Sequence, residues 1–322
     1  MTVPSLQNSL NRIGPVLVLM ALVAGFYLLN QRFISWFSMS ALLENAAVAC
    51  ILAVGLTFVV LQGSIDLSLE GVVSATGMIV SLLVANSASP QNLGLGGIGL
   101  ALACGLAFGL LNGILFVGLR IPSLIVTIGT WFALLGLAAL LFPGTPPVIS
   151  DPLLIGIALT KIGGLSIVVY LAMLVIAGAV VVERHTRFGR ICRAIGADET
   201  ALKLAGVNTS FFKIAAFAVC GLLAGLAGIL SAARLGYGEP IAGQGLAFPA
   251  VSAVVIGGTL LSGGRGGVLY SIVGVLILEV IRQGLVMTGF DPLLRQAIEG
   301  AALVTAVAMG TWRMRSRLRV VK

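Results

Sequence analysis

Residues 41–86 read ALLENAAVACILAVGLTFVVLQGSIDLSLEGVVSATGMIVSLLVAN, two long apolar runs, 41–62 and 69–86, parted by one short polar break. A helix crossing about 30 Å of hydrocarbon needs roughly 20 apolar residues, and each run comes close to that length. The break itself, GSIDLSLEG (Gly63 to Gly71), gathers Ser64, Asp66, Ser68 and Glu70 into an otherwise uncharged neighbourhood. Short polar side chains at such a point can cap the helix that follows, so an inner turn opening the next span is expected. The alternative is a stretch of non-helical backbone beside a wet path, which a membrane tolerates only where protein or water covers it.

The same alternation runs along the whole chain. Of its 322 residues 59% are hydrophobic and 9% charged, with a mean hydropathy of +1.13, where a soluble domain carries about a quarter charged residues. The expected fold is an all-α polytopic membrane protein forming one transmembrane domain over 1–322, with about ten transmembrane helices. The spans fall near 13–30, 41–62, 69–86, 93–119, 123–142, 164–182, 211–232, 247–262, 268–289 and 296–312. The first resembles a signal peptide, but its long apolar core and the spans behind it favour an uncleaved anchor.

Charge sets the orientation. The net charge is +8, and the cations border apolar spans instead of interleaving with exposed aromatics, so a lipid bilayer and not nucleic acid is the expected surroundings. With both termini in the cytoplasm, only Arg32, Lys161, Arg234, Arg282 and Arg295 fall outside or near outer span ends. The remaining Lys and Arg residues fall inside, as the positive-inside rule asks. Cys50, Cys104, Cys192 and Cys220 are scattered and suggest neither a disulfide framework nor a zinc site.

Three connections stand out. On the outer side these are 143–163, with PGTPPVISDP (Pro143 to Pro152), and 233–246, ARLGYGEPIAGQGL; on the inner side 183–210 is the longest polar stretch. That inner loop holds Arg184, Arg187, Arg190 and Arg193 and then GADETALKLAG, Gly196 to Gly206. Acids at the start, Lys203 near the end and a closing glycine complement a helix dipole and its terminator, predicting a short capped helix of about two turns. Alone in water such a helix is marginal, so it must pack on its own spans or on another protein.

Within the spans, Gly105, Gly109 and Gly113, like Gly221 and Gly225, recur at the spacing that lets helices approach closely. The recurrence of C-G-x-x-x-G and G-I-L in Cys104–Leu115 and Cys220–Leu230 also raises the prospect of duplicated halves, as in many transporters.

Catalytic chemistry is absent from this pattern. His185 is the one histidine, so neither a Ser-His-Asp relay nor a multi-histidine metal site can be assembled, and no nucleotide phosphate loop occurs. Gly94, Gly96 and Gly99 fit a dinucleotide spacing without the strand and acid that motif needs. An ion-coupled carrier would need a membrane acid; Glu279 lies in a span, but Arg282 three residues on can pair with it. Glu44 and Glu299 lie near outer span ends. A second break, GGTLLSGGRGG (Gly257 to Gly267), separates the eighth and ninth spans.

Four segments, in this order, resemble the permeases of bacterial ATP-binding-cassette importers, in the branch serving monosaccharides such as ribose and xylose. They are GLTFVVLQGSIDLSLEG (55–71), GLLNGILFVGLRIPSLIVTIGT (109–130), TRFGRICRAIGADETALKLAGV (186–207) and AVVIGGTLLSGGRGGV (253–268). A sister branch serves branched-chain amino acids, and Ile65-Asp66-Leu67-Ser68 favours the sugar branch. The chain departs from the family pattern at Ser64, at Asp198 where asparagine is usual, and at Glu70-Gly71.

The resemblance implies a bacterial inner-membrane subunit without covalent chemistry or a bound cofactor of its own. Its partners would be a second permease subunit (an identical copy or a paralogue), a separate ATPase holding ATP and Mg, and a periplasmic sugar-binding protein. The coupling helix that docks on the ATPase would fall on Arg187, Gly189, Arg190, Gly196, Glu199, Ala201 and Gly206. Candidates for translocation or gating are Asp66, Ser68, Asn112, Thr127, Thr130, Gly257 and Gly258. An importer of branched-chain amino acids or of another small polar solute is the nearest alternative; an ion-coupled carrier and a membrane enzyme or scaffold are more distant ones.

Overall fold

The computed structural model describes residues 6–289, with 6–13 as backbone only, together with 297, 298, 300, 301, 304 and 305. Among these residues the chain forms eleven α-helices: α1 (Leu6–Leu29), α2 (Trp36–Leu61), α3 (Leu69–Leu83), α4 (Leu95–Leu119), α5 (Ser123–Leu141), α6 (Pro152–Leu159), α7 (Ile167–His185), α8 (Arg187–Leu204), α9 (Thr209–Leu235), α10 (Ala247–Ile256) and α11 (Val268–Met287). Six of them, α2, α4, α5, α7, α9 and α11, are long and apolar enough to cross a membrane. Gly14–Leu29 of α1, α3 and α10 are apolar but shorter. The chain thus has a polytopic helical membrane fold. The predicted span at 296–312 lies mostly outside the described residues.

The bundle is organised around α2 and α9, whose buried faces supply much of the core. Glycine sets the closest approach. A side chain on Gly105 would stand 2.8 Å from the Cα of Gly225, one on Gly109 2.9 Å from the Cα of Gly221, and one on Gly113 2.7 Å from the Cα of Ile214. As the α4 number rises the α9 number falls, so the two helices run antiparallel in backbone contact, the geometry that small residues four apart permit. The glycines of the two C-G-x-x-x-G segments thus face each other across this contact.

One expectation is corrected and two details are added. The helical fold carries a single small hairpin among the described residues, in which Lys161–Ile162 (β1) pairs antiparallel with Leu165–Ser166 (β2). The two-residue link, Gly163-Gly164, has φ of +57° and +83°, the left-handed pair that a tight hairpin turn demands. The eighth span does not reach 262: α10 stops at Ile256 and a glycine-rich loop follows. The connection 143–163 contains its own short helix, α6, whose first amides, Leu153 and Leu154, donate to Asp151 Oδ1 at 3.0 and 3.1 Å. At the same end Lys161 pairs with Glu44 at 2.9 Å.

Candidate functional site

Where α2 ends, the chain does not turn straight into α3. Gly63 adopts a left-handed φ of +74° and residues 64–67 carry no regular structure, so their amides need partners from elsewhere. α5 supplies them: Ile65 N–H donates to Ser123 Oγ at 3.1 Å and Leu67 N–H to Thr127 Oγ1 at 3.2 Å. Asp66, 1% exposed, accepts at Oδ1 from the Ser68 amide at 2.9 Å and the Ser68 hydroxyl at 2.6 Å. Asn112 on α4 then donates to Ser68 Oγ at 2.6 Å. Asp66, Ser68, Asn112 and Thr127 are therefore brought together in one buried polar core around the break. Thr130 is not part of it; its hydroxyl bonds the carbonyl of Val126 at 3.2 Å in its own helix and it borders an apolar groove with Leu115, Leu119 and Ile125.

The expected cap of α3 is not made. Ser68 occupies the cap position, but its hydroxyl makes no capping bond to the helix amides, and Glu70, also 1% exposed, reaches across to α10, where its Oε1 accepts from the amide of Ala247 at 2.8 Å. Ser74 one turn on accepts from Gly243 at 2.9 Å. The carboxylate thus sits at the N-terminal, positive end of a helix that it does not belong to.

The second break is built similarly. A side chain at Gly257 would overlap the carbonyl of Tyr270, and Gly258 takes a φ of +107°. The loop closes through Leu260 N–H to Arg265 O at 3.1 Å and Gly267 N–H to Thr259 Oγ1 at 3.2 Å. The first amide of α11, Val268, donates to Glu183 Oε2 on α7 at 2.9 Å. Glu183 Oε1 pairs with Arg193 of α8, and Arg193 also donates to the Gly266 carbonyl at 3.2 Å.

The two breaks meet under α8. Gly264 N–H donates to Leu61 O at 3.0 Å, and a side chain on Gly63 would stand 3.0 Å from the Ser262 carbonyl. Gly196 lies on both, since a Cβ there would overlap Leu61 O and the amide of Gly264. Only a residue without a side chain lets α8 rest on this junction.

Beyond Gly196 the expected two-turn helix proves to be the second limb of a longer one. α8 is interrupted at Asp198, whose φ of −160° and ψ of 93° are not helical. Asp198 Oδ1 accepts from the Ala201 amide at 3.0 Å, a cap that asparagine would supply as well. Gly206, φ +75°, ends the limb with Gly206 N–H to Lys203 O and Val207 N–H to Leu202 O, both 3.0 Å, the paired bonds of a Schellman terminator.

Glu199 fixes this limb to α9. It pairs with Lys203 at 2.9 Å and Lys213 at 2.7 Å and accepts from Thr209 Oγ1 at 3.1 Å. Partial burial pushes its carboxyl up, but the two lysines and Thr209 outweigh that and hold it down at about 2. The predicted coupling residues therefore divide by position. Gly189, Gly196 and Gly206 shape the backbone and Glu199 anchors it, while Arg187, Arg190 and Ala201 stay exposed. Leu204, 86% exposed, and Phe211, 62% exposed, are open apolar side chains of the same region. Glu183 was not singled out, and Glu70 was read only as part of the polar break; nothing in the sequence shows which distant helix each one caps.

Among the described residues no group of His, Cys, Asp and Glu could hold a metal ion. Residues 38–307 match the family described as the branched-chain amino acid transport system permease component. Relatives include the ribose import permease protein RbsC of Escherichia coli K12, 31% identical over 296 residues with 91% of each chain covered. The fructose import permease protein FrcC of Rhizobium meliloti is 30% identical over 95% of this chain and 87% of its own. The L-arabinose ABC transporter permease protein AraH of Azospirillum brasilense is 31% identical over 96% of this chain and 90% of its own. No solved structure matches the chain. A helical membrane fold, broken helices gathered under the capped helix α8 and this match over most of the length lead to one conclusion: the chain belongs to the permease family of the branched-chain amino acid transport system.

Proposed function

We propose that this chain is the transmembrane permease subunit of an ATP-binding-cassette importer for a monosaccharide. Two such subunits enclose the path, a periplasmic binding protein delivers sugar, and a separate ATPase supplies the work through ATP and Mg held on its own chain. The protein resides in a bacterial inner membrane with both termini cytoplasmic and about ten spans. The relatives named for ribose, fructose and arabinose favour sugar over the branched-chain amino acids of the family's description.

One observation carries the mechanism: α8 rests through Gly196 on both helix breaks at once. In this reading the exposed side of the second limb, Ala201 with Leu204, docks on the ATPase, and Arg187 and Arg190 flank it. Displacement of α8 then moves Leu61 and Gly264 together, and with them the buried core of Asp66, Ser68, Asn112 and Thr127 that holds the break in place. The permease binds and gates; bond breaking takes place on the partner.

Proteoliposomes containing the chain, its candidate ATPase and its binding protein test this directly, with labelled ribose, fructose, arabinose and leucine offered in turn. Uptake of a sugar that needs every component and stimulates ATP hydrolysis is the expected result. Leucine uptake in place of sugar would move the assignment to the sister branch, and uptake without the ATPase would replace it with a carrier.

A further inference from the structure

We infer that Glu183 is a positioning residue that makes the N-terminus of α11, and the break in front of it, follow the movement of α8; this rests on the importer reading above. Its two carboxylate oxygens are divided between two elements. Oε2 accepts from the Val268 amide at 2.9 Å, and Oε1 pairs with Arg193, whose Nη2 also donates to the carbonyl of Gly266 at 3.2 Å. One buried carboxylate therefore joins α7, α8 and the first turn of α11.

The surroundings are fitted to it. A Cβ at Gly267 would overlap the carboxylate, and one at Gly189 would overlap the backbone of Glu183. Both glycines are needed for the group to come this close. Its side chain is 6% exposed and that of Arg193 38%, so the acid lies out of water while its partner stays within reach of a docking protein. Arg193 precedes Gly196 by about one turn, on the limb of α8 that touches both breaks.

Glu70 supplies the contrast. It makes the same kind of bond to the first residue of α10, Ala247, but from α3, inside the bundle. The hairpin of α10, loop and α11 is thus held at one helix start by a group of the membrane core and at the other by a group tied to α8. A push on α8 is transmitted to the second attachment and resisted at the first. An interaction made through such a two-element contact modulates coupling by an amount that corresponds to roughly 2- to 30-fold.

The test uses the complete complex in proteoliposomes with Glu183→Gln and Arg193→Met. Glutamine keeps an acceptor for Val268 but loses the ion pair; the methionine variant leaves Glu183 in place. Sugar moved per ATP hydrolysed should fall about tenfold in both variants. Hydrogen exchange supplies the second readout: the peptide covering 262–271 should change with nucleotide in the wild type and cease to do so in the variants, while 196–206 still responds. An unchanged transport ratio, or exchange at 262–271 that still follows nucleotide, overturns the inference, as does failure of both variants to assemble with the ATPase, which would reduce Glu183 to a structural post. A wild type that takes up no sugar in the presence of the ATPase defeats the importer reading instead.

Discussion

Gly264 gives its amide hydrogen to the carbonyl of Leu61 across 3.0 Å, so the last carbonyl of α2 is satisfied not by its own chain continuing as helix but by the loop between α10 and α11. Two discontinuities nearly two hundred residues apart are thereby one structural object, and Gly196 lies on it.

Substitution of Gly196 by alanine should separate that object from α8. The new methyl meets backbone on both sides, which cannot rotate away, so a loss of about 1–3 kcal/mol is expected, typical of overpacking. Thermal unfolding in detergent measures it, and transport should fall further than the remaining folded fraction explains.

Leu204→Asp should behave in the opposite way. At 86% exposure the side chain contributes little to the fold, and the change should stay within about 0.5 kcal/mol. Co-purification of the ATPase should nonetheless be lost. Retention of the ATPase by a folded Leu204→Asp chain would remove the second limb of α8 from the docking surface.

The packing of α4 on α9 makes a harsher prediction. Gly105→Val places side-chain atoms against the Gly221 carbonyl and the Gly225 Cα, each 2.8 Å from the first of them. Helix backbones pressed together cannot give, and a destabilisation above about 4 kcal/mol should appear as loss of expressed, folded protein.

Acid should loosen the second limb of α8 only late. A carboxyl held at about 2 against an ordinary value of 4.5 contributes stability that is fully present above the ordinary value and is lost as pH falls through the lowered one. Protection of the amides of residues 199–205 should therefore be flat down to a pH of about 4.5 and decline from there towards 2. Glu199→Gln should flatten that limb of the profile, at the cost of weaker protection throughout.

How much of this was legible beforehand follows from the range of each interaction. Spans are local: α4, α5 and α9 begin and end within a few residues of the apolar runs that foretold them, because burial in lipid acts on every residue of a run. The short limb ending at Gly206 was legible for the same reason, its cap and terminator lying within ten residues of each other. The caps supplied by Glu70 and Glu183 were not, since each spans a long sequence separation, 177 residues for Glu70 to Ala247. Capping by the nearest polar residue is the natural first guess and proved wrong at Ser68. The end of α10 was half legible: Gly257 opens the second break, but leucines in 257–262 extend the apolar run past the helix, which stops at Ile256 ahead of the left-handed Gly258.

The shortness of α10 has a consequence for how the protein is made. Its 10 residues rise only about 15 Å, half of the hydrocarbon thickness of about 30 Å, so no insertion machinery can retain it as a span in its own right. The groups that receive its start and that of α11, Glu70 and Glu183, leave the ribosome earlier because α3 and α7 precede it. Biogenesis from the amino terminus thus presents two finished sockets to a segment that could not stand in the bilayer without them. Splitting the gene before α10 and expressing the halves separately should let α11 insert through its own length while α10 stays outside the bilayer until the first half is supplied.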